Sequence, residues 1–112
     1  MTQMPIEMRT LPGSEESRRF EGADYGSQVS FFHVFNAPGA GPSLHIHPYE
    51  ETFIVDYGEA TFTVGDEEIV AVGGQIVIAP PNTPHKFVNS GDDTLHLTGI
   101  HSAPRMEQTD LE

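Results

Sequence analysis

Gly39-Ala40-Gly41-Pro42-Ser43-Leu44-His45-Ile46-His47-Pro48-Tyr49-Glu50-Glu51-Thr52-Phe53-Ile54-Val55-Asp56-Tyr57-Gly58 is the stretch from which the rest of the chain can be read. In an extended strand successive side chains point to opposite faces, so residues two apart share one. His45 and His47 therefore project the same way, close enough for both imidazoles to reach one ion. Continuing that parity places Tyr49, Glu51, Phe53 and Val55 on the same face and Glu50 on the other, which selects Glu51 as the carboxylate partner. Pro48 lacks an N–H and can bulge the strand between them.

Working outward, eleven glycines and nine prolines cut the chain into short pieces that favour strands. The candidates are Ser27 to Phe35, Thr52 to Tyr57, Ala60 to Val64, Glu68 to Val72, Gln75 to Ala79, Lys86 to Asn89 and Thr94 to Ile100. Turn signals at Gly58, Gly65-Asp66, Gly73-Gly74 and Gly91-Asp92-Asp93 separate them. Short strands at near-regular spacing, with no helical period between them, predict an all-β sandwich or barrel. The division expected is an N-terminal arm over 1–21, a barrel over 22–102 and a surface tail over 103–112, the arm being either loose or an extra strand on a partner subunit.

The chain of 112 residues is one domain. It has no cysteine, which excludes disulfides, thiolate metal sites, iron–sulfur clusters and cysteine nucleophiles, so any metal must be held by nitrogen and oxygen. Seventeen acidic against five basic residues give a net charge of −12, which disfavours nucleic acid and anionic membranes as partners and favours solubility. No apolar run approaches the roughly 20 residues of a membrane-spanning helix, and the start does not read as a signal peptide, so a cytoplasmic location is expected. Neither a Gly-x-Ser-x-Gly hydrolase signature nor a phosphate-binding glycine loop is present.

Six histidines are many for this length. His85 follows the rigid run Pro80-Pro81-Asn82-Thr83-Pro84 and by itself reads as an ordinary surface or core histidine. Two spacings change that reading. Gly39 is followed by five residues to His45-Ile46-His47, three more to Glu51 and six more to Gly58. Gly74 leads through five residues to Pro80, then Pro81 and Asn82, two residues to His85 and three to Asn89. The chain resembles the cupin superfamily in both of that family's motifs, with one departure: Asn82 stands where the family usually has glycine. Glycine there serves a turn needing positive φ, and asparagine is the next most tolerant residue.

The resemblance implies a small antiparallel jelly-roll β-barrel, usually dimeric, with one metal bound at one end by His45, His47, Glu51 and His85. Three imidazoles and a carboxylate suit a divalent transition metal: Fe, Mn, Ni, Co, Cu or Zn. Four protein ligands leave room on an octahedral ion, which favours an open, reactive site over a closed structural one. The leading function is a metal-dependent enzyme acting on a small organic molecule, an oxidoreductase of dioxygenase type. A non-catalytic metal or small-molecule binding or sensor module is the first alternative, and a Lewis-acid isomerase or decarboxylase the second. Phe53, Phe62 and Phe87, with Phe31 or Phe32, are candidates for the pocket wall, and Val55 and Val64 follow by alternation. Tyr49, between two ligands, is a further pocket candidate, able to pack at the barrel mouth or donate to substrate. His33, His96 and His101 read as surface or hydrogen-bonded strand residues, or else as proton relays. Asn89 is expected to stabilise its strand. No residue outside the ligands is singled out as a general base.

Overall fold

A computed structural model describes residues 4–112; residues 1–3, the start of the expected arm, lie outside the described residues. Among the described residues ten strands form two five-stranded antiparallel sheets that face each other. They are β1 (Ser17–Phe20), β2 (Ser30–Asn36), β3 (His45–Ile46), β4 (Glu51–Tyr57), β5 (Glu59–Val64), β6 (Glu67–Val72), β7 (Ile76–Ala79), β8 (His85–Asn89), β9 (Leu95–His101) and β10 (Thr109–Asp110). One sheet has the order β1-β2-β9-β4-β7 and the other β10-β3-β8-β5-β6, the interleaving of a jelly-roll barrel. Each of the seven expected runs is a strand, with no end moved by more than three residues. Among the described residues no helix is long and apolar enough to cross a membrane.

Alternation is strict where the barrel closes. On β9, Leu95, Leu97, Gly99 and His101 are buried while His96, Thr98 and Ile100 are only partly covered. On β4, Glu51, Phe53 and Val55 point in. The core joins Val34, Phe53, Val55, Leu95 and Leu97 of one sheet to Ala60, Phe62, Ala71 and Phe87 of the other. Its centre is an aromatic triad in which Phe53 lies 5.0 Å from Phe62 and 5.8 Å from Phe87, ring centre to ring centre. Tilted rings at such spacing gain about 0.5–1.5 kcal/mol per pair beyond burial.

Segments of both the expected arm and the expected tail are tied to the barrel. Ser17–Phe20, within the expected arm, pairs with β2 of the same chain, with Phe20 stacked on Phe31. Thr109–Asp110, within the expected tail, pairs with β3, and the Leu111 N–H donates to the Leu44 carbonyl. β3 is only two residues long and sits at the outer side of β8, so its free edge accepts another strand. That open edge is why this segment docks rather than trails.

Asn82 has φ 56°, the positive φ expected for it, and is the one non-glycine residue in that region among the described residues. Its N–H donates to the His47 carbonyl at 2.8 Å, so the left-handed turn links the two motifs through the backbone. Asn89 is buried and satisfied at every polar atom. Its amide donates to the carbonyls of Asn36 (2.9 Å) and Asp93 (2.8 Å), and its oxygen accepts the Gly91 N–H (2.9 Å).

Candidate metal centre

The two sheets each bring a facing pair of residues to the same end of the barrel. His45 opens β3 directly opposite His85, which opens β8. Glu51 opens β4 directly opposite His101, which closes β9. His47 follows β3 in a loop, held there by two backbone contacts. Its carbonyl accepts the Asn82 N–H, and its ring Nδ1 donates to the Glu107 carbonyl at 2.8 Å. His45, His47, Glu51 and His85 each offer one ligand atom, and these atoms all lie within 4.8 Å of one another. All four are buried. Glu51 Oε1 is 3.1 Å from His47 Nε2 and 3.2 Å from His85 Nε2. Glu50, on the opposite parity, is exposed.

The hydrogen bonds behind the cluster orient it. Nδ1 of His45 donates to the Ser43 carbonyl (2.7 Å), that of His47 to Glu107 and that of His85 to the Thr83 carbonyl (2.9 Å). A carbonyl oxygen only accepts, so each Nδ1 carries the proton and a neutral ring presents a bare Nε2. At His47 and His85 that lone pair faces a carboxylate oxygen, an arrangement that needs a proton or a cation between the two. A divalent ion satisfies all of them at once, and backbone carbonyls holding Nδ1 are the usual outer support of metal-binding imidazoles. The residues present therefore fit a transition metal.

The electrostatics agree. Burial pushes the Glu51 carboxyl up, but the imidazoles of His101, His47 and His85 outweigh it and hold the group well below the usual carboxylate range. Burial lowers His45. It also opposes charge on His47, where the bonds to Glu51 and the Glu107 carbonyl overcome it and raise the pKa. The carboxylate is thus charged and ready to accept a cation.

A cavity of about 340 Å³ opens beside the cluster, with His45 and Glu51 in its wall. Phe53 and Phe87 line it as expected, together with Phe32, Val34 and Leu97; Phe31 instead faces outward onto Phe20. Four expected pocket residues do not reach that wall, two of them being Val55, which is in the core, and Val64, which packs against it. Phe62 pairs with Phe87 in the same sheet, packs against Phe53 of the other and is fully buried in the core. Tyr49 stacks on the His47 ring, centroids 5.1 Å apart, and turns its hydroxyl to His101 Nδ1 (2.7 Å) and to the Glu107 N–H (3.1 Å).

His33 and His96 lie on the outer face, partly covered. His101 is different: it is 1% exposed and lines the cavity. Its Nε2 is 3.2 Å from Glu51 Oε2, but out of line for a hydrogen bond, and has no hydrogen-bond partner among the described residues. The signal was available, since His101 shares the parity of Leu95 and Leu97. The Glu107 carbonyl had no signal, because a backbone acceptor carries no residue signature. Gly99, also in the cavity wall, comes so close to Glu51 Oε2 that a Cβ there would strike the carboxylate.

A jelly-roll barrel with three imidazoles and one carboxylate gathered at one end defines a class of metal-binding double-stranded β-helix proteins. The family model described as "Cupin domain" matches residues 32–101, and the chain belongs to the cupin family. Xanthan biosynthesis protein XanB of Xanthomonas campestris is 28% identical over 93 residues, 82% of this chain and 20% of that protein. Mannose-1-phosphate guanylyltransferase 2 of Escherichia coli O157:H7 is 26% identical over 94 residues, 83% of this chain and 20% of that protein. The chain thus spans about a fifth of the length of these curated relatives. Among solved structures, Bacillus subtilis oxalate decarboxylase, described with Mn(II) centres, superposes with a TM-score of 0.80 at 22% identity, over 90% of this chain and 29% of that one. An uncharacterised Klebsiella pneumoniae protein with a double-stranded β-helix domain superposes with a TM-score of 0.76 at 21% identity, over 99% of both chains. At these identities the structural likeness is one of fold.

Proposed function

We propose that this protein is a metal-dependent enzyme acting on a small organic molecule, with oxygenase chemistry as the leading reaction. The observation that carries this reading is the meeting of the ligand cluster and the cavity: His45 and Glu51 belong to both. A structural metal site would be closed off from such space. When bound, a divalent transition ion in this donor set supplies a Lewis acid or, for the redox-active metals, an electron-transfer centre. The chain's own residues hold and orient the ligands, and Phe32, Phe53, Phe87 and Leu97 exclude water from the space beside them.

Among the described residues no lysine or arginine lines the cavity, and the chain carries −12 overall. This favours a neutral or singly charged, largely apolar substrate over a dianion such as oxalate or a sugar phosphate. Lewis-acid decarboxylation is the second reading, supported by the fold likeness to oxalate decarboxylase. Aerobic incubation of the iron- and manganese-loaded protein with flavonols, catechols and thiol acids, following oxygen uptake, tests the leading reading. Uptake with one class supports it, and none with any class refutes oxygenase chemistry. Release of carbon dioxide from small carboxylic acids without oxygen uptake supports the second reading. Metal binding with neither activity leaves a binding or sensor module. The proposal includes a cytoplasmic homodimer, the pairing suggested by Ile76 and Ile78 exposed on edge strand β7. A monomeric mass by light scattering would overturn the dimer.

A further inference from the structure

The four buried histidines at the barrel end are of two kinds. Three turn Nδ1 to a backbone carbonyl. The fourth, His101, turns Nδ1 to the Tyr49 hydroxyl at 2.7 Å. That oxygen already accepts the Glu107 N–H at 3.1 Å, and among the described residues its own hydrogen has no acceptor but His101 Nδ1. The phenol therefore donates and Nδ1 accepts, which leaves Nε2 as the ring nitrogen that carries a proton. The same ring atom that is a bare lone pair on His45, His47 and His85 is an N–H donor on His101.

This donor is buried in the wall of the cavity and, among the described residues, has no hydrogen-bond partner. An unpaired buried N–H costs free energy that a correctly placed acceptor recovers. We propose that His101, positioned by Tyr49, binds substrate by donating its Nε2–H to a carbonyl, enolate or phenolate oxygen. The molecule it recognises is small and flat, at most singly charged, and seated against Phe32, Phe53, Phe87 and Leu97. This rests on the reading of the cluster as an open metal site, and it adds the residue that selects the ligand. His101 is then no metal ligand, and Tyr49 acts through it as a positioning residue.

The test uses zinc, which is redox-silent, and 4-nitrocatechol, whose visible band reports hydrogen bonding to its phenolate oxygens. Wild type, His101→Leu, His101→Gln and Tyr49→Phe are compared for zinc content, dissociation constant of the probe and position of the bound band. Zinc should stay near one per chain in all four. His101→Leu should weaken the probe by about tenfold to hundredfold, the range of a lost buried hydrogen bond, and move its band to longer wavelength. His101→Gln, whose amide N–H has a similar reach, should keep the affinity within about threefold and restore the band. Tyr49→Phe should fall between them.

Loss of zinc from folded His101→Leu would make His101 a ligand and overturn the inference. Affinity and band unchanged in His101→Leu, or in Tyr49→Phe should the leucine variant not fold, would overturn it too. Zinc-loaded wild type that ignores 4-nitrocatechol would overturn the ligand class. Wild type that holds no zinc would instead remove the metal-site reading on which this rests.

Discussion

Replacing Gly99 by alanine should weaken metal binding while the chain stays folded. Gly99 lies on the inner face of β9, in the cavity wall, where the Glu51 Oε2 oxygen approaches the glycine Cα so closely that an added methyl collides with it. The other neighbour, Phe53 Cδ1, stays at an ordinary 3.5 Å. The backbone accepts alanine, since Gly99 is not among the positive-φ glycines, so the conflict is resolved by moving the carboxylate. Alanine in a strand recovers about 0.5–1 kcal/mol of the entropy that glycine loses, while overpacking costs about 1–3 kcal/mol. The net change in metal-free stability should therefore be within about 2 kcal/mol of zero. Metal affinity is another matter, because a displaced ligand or support costs about ten- to hundredfold, or roughly 1.4–2.8 kcal/mol. Chelator-competition titration with zinc measures the affinity, and urea unfolding in EDTA measures the fold. A double-mutant cycle with Glu51→Ala isolates the cause: with the carboxylate gone, Gly99→Ala should cost no further affinity. An undiminished affinity in Gly99→Ala, or the same added loss in both backgrounds, would refute the reasoning.

Three other predictions follow from the same geometry. His47→Ala should lose the near-stoichiometric transition metal that wild type retains when purified without chelator; retention measured by elemental analysis would remove His47 from the ligand set. Asn82→Val should lower stability by about 1–2 kcal/mol, the cost of the left-handed region for a side chain that tolerates it poorly, and Tm by about 4–8 °C, whereas Asn82→Gly should be near neutral; equal melting of the two variants would contradict the φ of 56°. Metal uptake should release protons, because the raised pKa of His47 leaves it protonated above its ordinary 6.5 in the metal-free protein while the ligand form is neutral. At pH 6.5 His47 alone should release more than about half a proton per ion, and affinity should fall as pH falls; calorimetry in buffers of different ionisation enthalpy showing no release would contradict this.

Much of the molecule was legible because its signals are local. The parity of His45, His47, Glu51 and Phe53 depends on a two-residue repeat. It puts these side chains together on the buried side even though the chain leaves the strand from His47 to Glu50, with strand β4 resuming at Glu51. The turn at Asn82 was readable because few residues tolerate positive φ. Seven of the ten strands among the described residues, and their spacing, followed from turn residues, and the motif spacings tied His85 to the same site.

What the sequence determined by itself was therefore the strand pattern, the face each ligand occupies and the class of metal the donors accept. Only the tertiary structure decided which faces meet. It set Glu51 opposite His101, fifty residues away on β9, and so turned a strand histidine into a wall of the site. It brought the Glu107 carbonyl under His47 and the Tyr49 hydroxyl onto His101, and it put Phe53 and Phe87 in the cavity wall but not Phe62. Alternation along one strand gives the direction of a side chain. The partner it finds depends on the closure of two sheets around a shared core, which is a property of the whole chain.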